Sequence, residues 1–352
     1  MTMILKLISP VFIMTLVLIY PFNKIAKEKV SDEKEWVKNA TRAYSPDSWE
    51  LLMQYESIPE ILEAEAVDGR IATSEKSVGT FYYLEGKNKI DLLASMATNI
   101  HEIAHVYCGL NIFRHARENG LKLDMSKAEE FFYYSPGRSF FISFPLRSLF
   151  PSRELKASIP KPLRTFRYDT YIDGITSTQS EGVIGLLNEL HSYYLESKFC
   201  LEMLEPYKTV YGSEASGFFE WVHNTQSKMT AFYEFDYFIK EYFLHMKHKY
   251  PSRYDELKRY RPFVEAYSAI RSSYEELISN YLLKIKNEMA VLNSSGKAKV
   301  TLEGYDLWVR EGSSDTSTGT PVFSKDLEIL APVLESDRYR EIAEDFPDMR
   351  IK

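Results

Sequence analysis

The chain has 352 residues, enough for one large domain or two ordinary ones. At 45% hydrophobic and 14% aromatic it can bury a sizeable core, which excludes a globally disordered chain. A formal charge of -7 argues against a general nucleic-acid binder, and two cysteines, Cys108 and Cys200, are too few for a disulfide scaffold but enough for one bridge.

The first predicted element is an apolar run from Ile8 to Phe22, preceded by Lys6 and followed by Lys24, Lys27 and Lys29. It is shorter than the ~20 residues of a full membrane span and closer to the core of a signal peptide. No small-x-small cleavage site follows, so residues 1–24 are read as either a cleaved signal peptide or an uncleaved signal anchor. An exported protein is expected, secreted or tethered to a membrane through residues 8–22.

Residues 25–40 are charged and predicted helical, and helix-like spacing continues from Trp49 to Ala66. β-type runs broken by glycines at 69–86 predict a short hairpin or small sheet. Apolar residues at 93, 96, 100, 103 and 107 then form a helical stripe, with Gly109 expected to stop the helix.

That helix carries H-E-x-x-H, from His101 to His105. Residues i and i+4 share a helix face, so two imidazole nitrogens can reach one metal ion. Glu102 lies about 100° round the helix from His101, placed to act as general base on a metal-activated water without being a ligand. Cys108 follows on the histidine face, and a buried structural thiol is the commoner role for it.

Residues 131–172 are rich in Phe, Tyr, Pro and Ser and predict irregular structure with short strands. Their end, "RTFRYDTYIDG", offers Arg167, Tyr168 and Tyr171 as donors to a tetrahedral oxyanion. His223, His245 and His248 are later candidates for the same role. A second strong helix is expected at 180–199. Residues 215–293 are predicted almost wholly helical, with a break near Pro251 and aromatics spaced for core packing. From 311 a Ser/Thr/Gly-rich linker and a short acidic tail are expected.

Within the second helix, "SEGVIGLLNELHS" resembles the motif with which gluzincin metallopeptidases, the thermolysin-like group, supply a third zinc ligand. Asn188, Glu189 and Ser192 match its N-E-x-x-S pattern. The resemblance implies that His101, His105 and Glu189 bind one Zn2+, with Glu102 as base. It departs in three respects: the segment 106–188 is longer than in compact members, Tyr193 stands where the family has an aspartate that hydrogen-bonds a ligand histidine, and no motif fixes the late histidine that the family uses on the oxyanion.

Independently of the family, Gly182 and Gly185 lie near the Glu189 face, and Ala94 and Ala97 near the His101 face. Small residues on both surfaces are expected to let the two helices approach. Glu181 is the rival ligand, more simply read as an N-terminal helix cap. His191 points away from Glu189, towards the surface or an outer shell.

The expected fold is α+β and mostly α-helical, zincin-like, with a small β-sheet before the H-E-x-x-H helix and a large helical lobe after it. The catalytic domain would span 25–310 and lie outside the cytoplasm. The expected function is a zinc-dependent metallopeptidase acting on peptide or protein substrates. The alternative is a non-catalytic helical metal-binding or membrane-tethered interaction domain.

Overall fold

The computed structural model describes residues 32–311 and 317–346. The expected signal or anchor segment at 8–22 lies outside them. Among the described residues, no helix is long and apolar enough to cross a membrane.

Two helices, α1 (Asp32–Tyr44) and α2 (Pro46–Glu56), lead into an antiparallel hairpin of β1 (Ile61–Glu65) and β2 (Ile71–Glu75). The helical reading of 49–66 is therefore corrected from residue 57 onward. Leu62 and Ala64 are buried between exposed neighbours, a period of two rather than 3.6. A small sheet does precede the H-E-x-x-H helix.

That helix, α3 (Lys89–Glu118), is capped by Asn88, whose side chain accepts from the amides of Ile90 and Asp91. It does not stop at Gly109. The buried stripe continues through Leu110, Phe113 and Ala116, and this packing outweighs the ~1 kcal/mol that glycine costs inside a helix.

A second hairpin, β3 (Lys127–Ser135) with β4 (Arg138–Pro145), follows, then 3-10 turns and the single turn α4 (Tyr168–Tyr171). Next come α5 (Val183–Glu202), α6 (Leu204–Tyr211), α7 (Glu214–Lys249), α8 (Pro251–Arg259) and α9 (Arg261–Ser295). Helix α7 packs against α5, α6 and α9. Its aromatics are core, as their spacing predicts: Phe235, Tyr237, Phe238, Tyr242 and Phe243 are all fully buried.

Residues 312–316 of the expected linker lie outside the described residues, and the expected tail after it is folded. Strands β5 (Ala298–Glu303), β6 (Asp306–Glu311) and β7 (Thr318–Pro321) form an antiparallel sheet. Helices α10 (Asp326–Leu334) and α11 (Arg340–Asp345) then return to α7. One hydrophobic core runs from Val37 to Phe346, so the described residues 317–346 belong to the same folded body. The fold is mostly helical with small antiparallel sheets, the α+β class expected.

Candidate metal centre

Helix α5 is buried on almost every side from Val183 to Cys200. A helix buried all round belongs in a core, so its two buried carboxylates, Glu189 and Glu196, need partners. Helix α3 packs against it and supplies them.

His101 Nε2 and His105 Nε2 lie 3.1 Å apart. Glu189 Oε2 is 3.7 Å from the first and 3.4 Å from the second. Ligand atoms held 2.0–2.1 Å from a tetrahedral ion are separated by about 3.3 Å, and the observed triangle brackets that value. Glu189 Oε2 is buried without a hydrogen-bond partner, an orphan acceptor of the kind a cation satisfies. The group can hold a metal ion.

The three groups also shape one another's protonation. Burial alone would raise the Glu189 carboxyl, but the adjacent imidazoles of His105 and His101 bring it well below the usual range. Burial alone would lower the His101 imidazolium, but Glu189 and Glu196 together drive it well above its usual value.

Each imidazole is also held from behind. Ser192 Oγ lies 3.3 Å from His105 Nδ1. Glu196 Oε2 lies 3.2 Å from His101 Nδ1, though off the line of an ideal hydrogen bond, so that it acts as an orienting charge. Lys228 Nζ stands 3.9 Å from the other Glu196 oxygen. Burial pushes the Glu196 carboxyl up, and His101 and Lys228 outweigh it and bring it down.

Tyr193 does not take the aspartate's orienting place. Its ring packs edge-on against His101, with centroids 4.4 Å apart. Glu196, seven residues beyond Glu189, lies only about 20° from it round the helix. It was the residue the motif reading missed, and its signal was a second carboxylate on the stripe of Glu189.

Glu102 is half-buried and makes no hydrogen bond or ion pair among the described residues. Tyr171 sits at the edge of the group, its hydroxyl 3.4 Å from that of Tyr193. Burial first, then the negative charge of Glu189, raises its phenol far above the ordinary value.

Tyr168 is not at the site, which corrects that expectation. The short turn of α4 sends it into the core beneath the Arg164 guanidinium, 4.8 Å from its ring centroid. Arg167 is engaged elsewhere: its amide and guanidinium donate to Glu234 at 3.0 and 2.5 Å, and it covers the Tyr193 ring.

The other candidates also have places outside the group. Gly182 and Gly185 do not ease the approach of α3. A Cβ at Gly185 would lie 1.9 Å from the Thr178 carbonyl oxygen, and one at Gly182 would meet the Phe150 carbonyl and the Tyr242 hydroxyl. Both glycines accommodate the turn that enters α5, and Gly182 has φ of +59°.

Glu181 ends that turn before the helix and caps nothing in α5. It lies near Glu130, and burial raises its carboxyl to about 7. His191 is buried, not at the surface: its Nε2 donates to the Tyr133 carbonyl, and burial pushes its imidazole down to about 4.

Cys108 is buried beside Glu130 and Tyr133, and its thiol is raised by burial. Cys108 and Cys200 are both free, so the two do not pair. His223 contacts Thr320, His245 contacts Glu154, and His248 lines a surface hollow with His245. None of these three enters the metal group.

In comparisons with known proteins, no family model matches the chain, and no curated protein or solved structure matches it significantly. The functional reading therefore rests on the residues themselves.

Proposed function

We propose that the chain is a zinc-dependent metallopeptidase of the gluzincin kind, zincin-like around α3 and α5, acting on peptide or protein substrates outside the cytoplasm. The observation that carries this reading is the triangle of His101, His105 and Glu189 donors at tetrahedral spacing. Three protein donors, two nitrogen and one oxygen, are the set used by hydrolytic zinc sites; structural zinc sites take four.

Bound zinc would supply Lewis acidity to a water and to the scissile carbonyl. The remaining tasks fall to the chain. Glu102, unengaged and half-buried beside His101 on α3, takes a proton from the attacking water and passes it to the leaving amine. Tyr171, kept neutral by burial and by the charge of Glu189, donates a hydrogen bond towards the developing oxyanion. Glu196 and Ser192 hold the imidazoles in register.

Replacing Glu102 with Gln tests the reading. Zinc, measured by mass spectrometry of the purified protein, should stay at one equivalent per chain. Hydrolysis of a peptide library should fall by about 10²–10⁴-fold, the usual contribution of a general base. Undiminished cleavage by Glu102→Gln would refute the mechanism.

A further inference from the structure

The segment between β2 and α3 carries two tyrosines that the chemistry above does not use. It is pinned at three points. The Tyr55 hydroxyl donates to the Val78 carbonyl at 2.5 Å, and Leu84 is buried in the core. Asn99, fully buried on α3, accepts from the Tyr83 amide at 3.1 Å and donates to the Thr80 carbonyl at 3.0 Å.

Helix geometry places this strap against the proposed site. Going round α3, the order is Asn99, Glu102, His105, His101, in steps of about 60°, 60° and 40°. The strap is fastened at Asn99, and α5 meets the helix at the histidines. Glu102 therefore lies between the two walls.

Tyr83 is half-buried, and its hydroxyl makes no hydrogen bond among the described residues. Burial and then the nearby charge of Glu102 raise its phenol to about 12, so it is a neutral donor at physiological pH. Tyr82 is 60% exposed, its ring edge-on to Tyr83 with centroids 5.0 Å apart. A rigid strap thus presents a bare aromatic face and an unspent donor beside an unspent carboxylate.

We propose that Thr80–Tyr83 is the specificity wall of the peptidase site: Tyr82 seats an apolar substrate side chain next to the scissile bond, and the Tyr83 hydroxyl donates to the substrate backbone beside Glu102. The proposal rests on the metallopeptidase reading and adds the class of substrate, a peptide apolar at a position flanking the cut.

The test uses the full zinc-loaded chain and two zinc-chelating peptide hydroxamates, one with phenylalanine and one with glycine at the variable position. Calorimetry should show the wild type favouring phenylalanine by about tenfold or more, the discrimination an apolar pocket supplies. Tyr82→Ser should erase that preference with zinc content unchanged. In turnover of apolar library peptides, Tyr82→Ser should raise KM and Tyr83→Phe should lower kcat.

Equal binding of both hydroxamates by the wild type, or an undiminished preference in Tyr82→Ser, overturns the strap and leaves the peptidase reading standing. A protein that holds zinc yet binds neither hydroxamate overturns the peptidase reading and the strap with it.

Discussion

Glu196 Oε2 stands 3.2 Å from Nδ1 of His101, two helical turns beyond Glu189 on the same stripe of α5. One helix thus supplies both the carboxylate that faces the metal position and the carboxylate behind the histidine. The spacing of seven residues keeps both on one face, and the pair moves with α5 as a unit.

Removing the rear carboxylate should weaken metal binding without abolishing it. Glu196→Ala is expected to lower zinc affinity about 10–100-fold, the usual effect of losing an outer-shell partner of a ligand histidine. Competition against a chromophoric chelator measures this directly. Glu196→Gln, which keeps an oxygen beside Nδ1 but loses the charge, should lie between the wild type and the alanine variant. Unchanged affinity in Glu196→Ala would deny Glu196 its orienting role.

Removing the front carboxylate should cost the third donor itself. Glu189→Ala should purify without a stoichiometric metal. Zinc at a hundredfold excess over Kd stabilises a folded protein by about 2.7 kcal/mol, so the wild-type melting temperature should rise on adding zinc. The variant should lose that response. A zinc-dependent shift of wild-type size in Glu189→Ala would show that the metal sits elsewhere.

Gly185 gives a test of the fold that leaves the ligands untouched. A methyl group there would meet the Thr178 carbonyl oxygen at 1.9 Å, and backbone must move to admit it. Gly185→Ala is expected to destabilise by about 1–3 kcal/mol, the usual range for overpacking, despite the better helix propensity of alanine. Urea unfolding reads the change, and a stabilised variant would contradict the close approach of Thr178.

Acid sensitivity should have a distinct source on α7. Asp236 is buried, with Arg271 Nε at 2.8 Å and Lys240 Nζ at 2.7 Å. Burial would raise its carboxyl, but Arg271 and Lys240 outweigh it and hold it well below the usual value near 4. The folded state therefore binds this proton less readily than the unfolded chain. Its stabilising contribution is complete above about pH 4 and fades as pH falls through and below that value. Asp236→Asn should be less stable than the wild type at pH 7, and the gap should narrow from pH 5 to pH 3. A constant gap across that range would contradict the assignment.

The sequence made the metal group legible because its chemistry is periodic: H-E-x-x-H reads directly as one helix face, and N-E-x-x-S as another. Glu196 escaped because a carboxylate two turns away is invisible to a four-residue motif. Tyr168 and Tyr171 looked alike on paper, three residues apart, and only the single turn of α4 distinguishes the core side from the site side.

The glycines of "SEGVIGL" have the spacing of a helix contact, yet they serve the turn before the helix. Gly109 looked like a stop because local propensity was weighed without the tertiary packing that overrides it. The Ser/Thr/Gly-rich stretch after 310 reads as a linker from its composition alone, although the strands that flank it, β6 and β7, pair with each other in one sheet.

The end of the chain has a practical consequence. Phe346 stacks on Phe243 of α7, and Asp345 gathers Lys247, Lys258 and Tyr254. A protein shortened after β6 would keep every metal donor yet strip the outer flank of its central helix, leaving aromatic surface open to water. Such a truncation should precipitate rather than yield a minimal active unit. Tags and fusions accordingly belong beyond residue 346, not in its place.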